Sequence, residues 1–197
     1  HLGGRKMLPP TRDLDLARVP EGAPIKPEYR KAFEYSDCWV DDARLVTLNA
    51  VDAGERGATI LTRTALVSAR VENGRWRCEF EDMRSGARRV VEARALVNAS
   101  GPWVTDVIGR VMGGNSRRSV RLVKGSHITV PKFWSGQNAY LVQNSDKRVI
   151  FINPHEGDLA LIGTTDIPYD GAPEHVAAHE SAIDDLLKVV HPHFKVK

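Results

Sequence analysis

Apolar and polar residues alternate through the middle of this chain at the period of two that marks β-strands. The segments ILTRTALVSARV, RWRCEFED and RRVVEARALVN lie between about Ala58 and Val97, parted by Glu72-Asn73-Gly74 and Arg84-Ser85-Gly86, and predict an antiparallel meander of three strands. Ala95, Leu96 and Val97 read as a buried strand that turns through Asn98-Ala99-Ser100-Gly101 into a helix over about 102–112, with Pro102 suited to its first turn. A second β-rich region starts at VRLVKGSHITV and runs through NAYLVQ, RVIFINP and DLALIGTTDI, with turns at Asn144 to Lys147 and His155 to Asp158. Ser181 and Asp184 open a last helix with an apolar stripe of Ile183, Leu186, Leu187 and Val190, which Pro192 is expected to end. Residues 1–30 carry Pro9, Pro10, Pro20, Pro24 and Pro27 with little periodicity and read as an irregular connector. The fold class that results is α+β, antiparallel and β-rich.

Composition narrows the function without naming it. With 197 residues and 42% hydrophobic content the chain can build one core or two small ones. Its net charge of +3 arises from 28 basic and 25 acidic residues spread along the sequence. Even the densest basic group, Arg117, Arg118 and Arg121, lacks the interleaved aromatics of a nucleic-acid stripe. Cys38 and Cys78 form no CxxC pair, which fits reduced thiols in a cytoplasmic setting. No apolar run reaches the roughly 20 residues that span a bilayer, so any membrane contact is expected to be peripheral.

The strand, turn and helix around Gly101 would gather backbone N–H groups where a phosphate is readily held. None of the 16 glycines, however, falls into the GxGxxG turn of a self-sufficient dinucleotide fold. Together with a start at His1, this reads as an internal piece of a larger protein. Ser100 is no nucleophile elbow, because Asn98 takes the place of the first glycine. His175 and His179 have helical spacing but no third ligand fixed by spacing, and no metal site is expected.

Five segments carry a family resemblance: FEYSDCWVDDARLV at 33–46, LVNASGPWV at 96–104, RLVKGSHITVP at 121–131, QNSDKRVIFINP at 143–154 and IGTTD at 162–166. In this order and spacing they resemble the aerobic, respiratory FAD-dependent glycerol-3-phosphate dehydrogenases. The resemblance implies part of an FAD-binding domain, with its β-meander and βα unit at 43–112, joined to part of a β-sheet substrate-binding domain at 113–197. Residues 1–42 would be a connector and a substrate-domain segment. It implies oxidation of sn-glycerol 3-phosphate to dihydroxyacetone phosphate, FAD as cofactor, and electrons passed to a quinone. A cytoplasmic protein is expected, or one bound peripherally to the cytoplasmic face of the inner membrane.

The same resemblance assigns residues. The Leu66 backbone would lie near the adenosine part of FAD, Ser100 and Gly101 near its phosphate-ribityl side, and Arg44 would approach the cofactor where the chain passes between domains. Oxidation of a secondary alcohol sends a hydride to the flavin while the hydroxyl loses its proton, and histidine is the usual base near neutral pH. Strand alternation in KGSHITV places Lys124, Ser126 and Ile128 on one face and Gly125, His127 and Thr129 on the other. His127 would then contact substrate, with Gly125 leaving room for it, and Lys124 would be solvated. Without the resemblance, a hydrogen-bonded sheet histidine is the plainer reading. Thr165 in IGTTD would line the substrate pocket or simply end a strand. Trp39, Tyr35 and Trp103 read as packing residues.

Two other functions remain open at this point: a non-catalytic β-rich module that binds a phosphorylated metabolite or a protein partner, and a related flavin oxidase that uses oxygen. If the chain is an internal piece, it is expected to retain little or no flavin and no activity by itself. Near-stoichiometric flavin absorbance in the purified chain would overturn that expectation.

Overall fold

The computed structural model describes residues 8–115, 119–144 and 147–196. The Arg117 and Arg118 part of the basic cluster, and the middle of the turn expected at Asn144 to Lys147, lie outside the described residues. The chain divides into two compact units: His1–Cys38 with Leu122–Lys197, and Trp39–Arg121. Every described strand pairing is antiparallel, as the alternating pattern predicts.

In the discontinuous unit, β1 (Arg12–Asp15) pairs with β2 (Lys31–Glu34). An ion pair between Arg12 and Glu34 lies across this ribbon. Residues 12–30 are therefore more than a connector. Leu14 and Ile25 are buried, and the Ile25 backbone bridges to Phe194. The Lys26 N–H donates to the His193 carbonyl and the Lys195 N–H to the Pro24 carbonyl, each at 2.9 Å. Apolar residues scattered among prolines show no period, yet they find partners far along the sequence.

The Trp39–Arg121 unit opens with α1 (Asp42–Glu55), a helix that hydrophobic period does not signal. Asp41 caps it, its side chain accepting the Arg44 N–H at 3.0 Å. No residue of α1 is buried, and Leu45, Val46, Leu48 and Val51 are 47% to 68% exposed. Next come β3 (Thr64–Glu72), β4 (Arg75–Asp82) and β5 (Arg88–Ala93) in the expected meander. Asn73 and Gly74 both take positive φ, 50° and 74°, which is the two-residue hairpin that Asn-Gly favours.

The buried strand expected at Ala95 to Val97 does not form; β5 ends at Ala93 and Val97 is 84% exposed. An apolar triplet extends a sheet only where a neighbouring strand supplies its hydrogen bonds, and none of the described strands pairs there. The helix expected over 102–112 is irregular: a 3-10 turn (Gly101–Trp103), the short α2 (Val104–Asp106) and a π turn (Val107–Val111). Val111 packs on Ala69 and Cys78 in a small core that also gathers Leu66, Phe80 and Leu96.

Beyond residue 121 the strand expected as one piece is broken in two. β6 (Val123–Lys124) pairs with β11 (Ile167–Pro168), while β7 (His127–Pro131) joins a sheet in the order β7-β10-β9-β8. Its other members are β8 (Tyr140–Gln143), β9 (Val149–His155) and β10 (Leu159–Gly163). The turn expected between His155 and Asp158 is present, with Glu156 and Gly157 at φ 41° and 80°.

One face of this sheet carries Ile150, Ile152, Ala160 and Ile162, all no more than 1% exposed. Against it packs α3 (Glu180–His193) through Leu186, Val189 and Val190. Phe133, Trp134, Tyr140 and Phe194 complete the core as edge-on aromatic pairs 5.1–5.4 Å apart. The Tyr140 hydroxyl donates to the Glu21 carbonyl at 2.8 Å, and burial pushes the pKa of that phenol above its ordinary value.

The last helix is shifted from its sequence reading. His179 caps it, its Nδ1 accepting the Ser181 N–H, so Ser181 lies inside the first turn. The buried stripe is Ala182, Leu186, Val189 and Val190, leaving Ile183 39% exposed. Pro192 sits within the helix, one residue before its end, where a missing N–H removes a single terminal bond.

Unfolding experiments should separate the two kinds of helix residue. Leu186→Ala is expected to lower stability by about 2–5 kcal/mol, and Val46→Ala to stay within about 0.5 kcal/mol of the parent, both read by urea denaturation.

Candidate functional site

The face of the four-stranded sheet turned away from α3 carries the side chain of greatest chemical interest. Because Ile128 and Val130 turn towards the core, His127 and Thr129 are exposed on the opposite face of β7. On that same face Phe151 of β9 is 40% exposed and Leu141 of β8 44%. Alternation thus predicts the side on which His127 stands.

The glycine that makes room for its ring is a different one from that expected. His127 pairs directly with Gly163 of β10. A Cβ added to Gly163 would lie 2.2 Å from His127 Cδ2 and 2.7 Å from its Cγ, so the imidazole rests over the Gly163 backbone. Gly125 instead accommodates Thr164, whose Oγ1 would lie 2.3 Å from a Cβ placed there. The signal was present in the sequence: an isolated glycine in a strand often marks a close approach by a neighbour. What the sequence withheld was the register.

Thr165 is 2% exposed. Its hydroxyl accepts the Ser126 N–H at 2.9 Å, and its own N–H donates to the Ser126 carbonyl at 3.3 Å. These bonds fix the joint between β6 and β7, immediately before His127. Thr165 also borders an open depression of about 380 Å3, with Val123, Gly125, Arg148, Thr164 and Asp166. Lys124 lies half-buried rather than solvated, its Nζ donating to the Ala177 carbonyl at 3.1 Å. Sequence reasoning offered the segment Gly163 to Asp166 as a pocket wall, and Thr164, Thr165 and Asp166 do border the depression; it missed Ser126 and Arg148, and for Arg148 only proximity across the fold reveals it.

The four residues expected near a flavin all belong to the Trp39–Arg121 unit. Gly101 takes φ +54° and nothing within 4 Å crowds a Cβ placed on it, so a ligand can approach this backbone. Ser100 Oγ donates to Asn98 Oδ1 at 2.6 Å, and Asn98 Nδ2 donates to the Val104 carbonyl at 3.0 Å. The turn is held by its own side chains. Further along, the Arg110 guanidinium bonded to Asp106 at 2.7 Å keeps that carboxyl below its usual range. Leu66 sits beside a β-bulge, where the pairing with β4 slips between Leu66 and Ser68. Leu66 shares the small core with Val107 and Met112.

Arg44 lies in the first turn of α1, exposed, and is not part of that core. Trp39 and Tyr35, expected to pack, are 73% and 49% exposed. Neither belongs to a buried cluster of the described residues. The unit thus carries an open left-handed glycine, a hydrogen-bonded polar turn and a bulged strand.

A family model described as DAO, FAD dependent oxidoreductase, matches residues 2–196. The chain belongs to this family of FAD-dependent oxidoreductases. It is 67% identical over 197 residues to the D-erythritol 1-phosphate dehydrogenase of Brucella abortus, covering 100% of this chain and 39% of that protein. It is 47% identical over 195 residues to the aerobic glycerol-3-phosphate dehydrogenase of Escherichia coli, covering 99% of this chain and 38% of that one. The crystal structure of the glycerol-3-phosphate dehydrogenase from Bacillus halodurans, complexed with FAD, superposes with a TM-score of 0.77 at 25% identity. It covers 94% of this chain and 38% of its own. The chain thus spans about two fifths of the length of these relatives.

The Ser126 to Thr165 bond is a structural element next to the exposed histidine. Thr165→Val preserves shape but strands the buried Ser126 N–H, and should lower stability by about 1–3 kcal/mol, as read in a thermal melt.

Proposed function

We propose that these residues form part of an FAD-dependent dehydrogenase that oxidises a secondary alcohol of a phosphorylated polyol. The observation that carries this reading is His127, exposed on the open face of the four-stranded sheet and resting over Gly163, in a chain of the FAD-dependent oxidoreductase family. The 67% identity to a D-erythritol 1-phosphate dehydrogenase favours the four-carbon substrate. sn-Glycerol 3-phosphate is the second reading, supported by glycerol-3-phosphate dehydrogenases of Escherichia coli and Pseudomonas aeruginosa at 47% and 48% identity.

In this reading the Trp39–Arg121 unit supplies part of the cofactor's cradle. The Gly101 backbone and the Ser100 turn would hold its phosphate-ribityl side, the bulged backbone at Leu66 would face its adenosine part, and Arg44 would contribute positive charge. FAD, when bound, would supply the acceptor for the hydride of the carbinol carbon. His127 takes the hydroxyl proton through its imidazole, so the carbonyl forms as the C–H and O–H bonds break. Thr165, through Ser126, fixes the backbone from which that imidazole projects. A quinone would be the electron acceptor of the whole protein in this reading. Among the described residues no helix is long and apolar enough to cross a membrane, and the proposed contact with a quinone-bearing membrane is peripheral.

Anaerobic mixing of the full-length, FAD-loaded protein with each polyol phosphate tests this. Bleaching of the flavin by D-erythritol 1-phosphate should exceed that by glycerol 3-phosphate, and unphosphorylated erythritol should be inert. His127→Ala should slow bleaching by about 10²–10⁴-fold; an unchanged rate removes His127 from the chemistry. Re-oxidation by a quinone analogue faster than by oxygen separates the dehydrogenase from an oxidase.

A further inference from the structure

We propose that Gly163 is a positioning residue: its missing side chain lets the His127 imidazole lie against β10 and so fixes the direction in which the ring presents its nitrogens. This rests on the reading of His127 as the proton acceptor. Gly163 is the last residue of β10 and the direct antiparallel partner of His127. It is buried although it has no side chain of its own to bury. The three nearest neighbours of a Cβ placed there are all ring atoms of His127: Cδ2 at 2.2 Å, Cγ at 2.7 Å and Nε2 at 2.8 Å.

The next cross-strand partner of Gly163 is Phe151 of β9, so the glycine stands between two rings in one row of the sheet. Rings laid over a cross-strand glycine are a recognised way of covering exposed backbone. Here the covering ring is also the titratable group on the open face. Its backbone is held independently, by the Ser126 bonds to Thr165. A methyl at residue 163 therefore leaves His127 in the same strand and register but turns its ring about the Cα–Cβ bond. Gly163 does not take a left-handed φ, so the first obstacle an alanine meets there is this contact with the ring.

The test is a double-mutant cycle in the full-length FAD-loaded protein: Gly163→Ala, His127→Ala and the pair together. Flavin reduction is measured with D-erythritol 1-phosphate and with glycerol 3-phosphate, and the imidazole resonances are followed in protein labelled at histidine. The resonance that His127→Ala removes identifies His127. Gly163→Ala should move that resonance and lower the limiting rate of flavin reduction by about 10²-fold, with the half-saturating substrate concentration unchanged. In the His127→Ala background, adding Gly163→Ala should cause no further loss.

An unmoved resonance, or an equal loss in both backgrounds, overturns the positioning role. If His127→Ala leaves flavin reduction intact, the proton-acceptor reading fails instead, and the resonance shift still reports whether the glycine orients the ring. Should Gly163→Ala alone fail to fold, the pair is expected to fold, because the colliding ring is gone. A pair that also fails to fold overturns the proposal, since Gly163 would then serve the backbone rather than His127.

Discussion

The burial of one face of the β7-β10-β9-β8 sheet by α3 is the constraint on which the rest of the site depends. Side chains on a strand alternate strictly between faces, so placing Ile150, Ile152, Ala160 and Ile162 beneath Leu186 and Val189 decides the orientation of every neighbour. His127 is exposed because Ile128 faces the core. A slip of one residue in β7 would put the imidazole into an apolar interior and expose an isoleucine, and both changes are unfavourable. The face that carries His127 is thus set by hydrophobic burial on the reverse side.

That constraint also explains which parts of the molecule were legible in the sequence. The face of His127 follows from alternation, and the meander follows from Asn73-Gly74 and Gly86, whose positive φ values are what tight turns demand. The features that escaped depend on partners distant in sequence. Gly163 opposes His127 only because of the β7-β10 register, so local spacing pointed to Gly125, which accommodates Thr164 instead. The stripe of α3 was misplaced by its phase, since Ala182 and Val189 were not recognised as core residues. Leu14 and Ile25 look like isolated apolar residues until β1 and the backbone bridge at Phe194 are seen.

The helix α1 escaped for the opposite reason. Hydrophobic periodicity detects a helix by the face it buries, and α1 buries none of its residues. It is specified locally, by the Asp41 cap and by helix-compatible residues such as Ala43, Leu45 and Ala50. Ala95 to Val97 shows the converse: three apolar residues of strand character that lack a pairing partner among the described strands.

The residues proposed for cofactor and for substrate differ in kind, and the difference bears on how each tolerates change. Gly101 and Leu66 would contribute backbone: an open left-handed turn and a bulge, where side-chain identity matters only as far as it permits the conformation. His127 would contribute a specific side chain, and such a group works only when its own rotamer is locked by the residues around it. Backbone sites can therefore persist while surrounding side chains drift. A side-chain site ties its neighbours together: changing Gly163 changes what His127 can do, and changing Thr165 loosens the strand from which it projects. Within this unit, the segment Gly163-Thr164-Thr165 is coupled to Gly125-Ser126-His127 at each successive contact, glycine under ring, threonine over glycine and hydroxyl to amide. The two segments form one mechanical part although some 40 residues separate them.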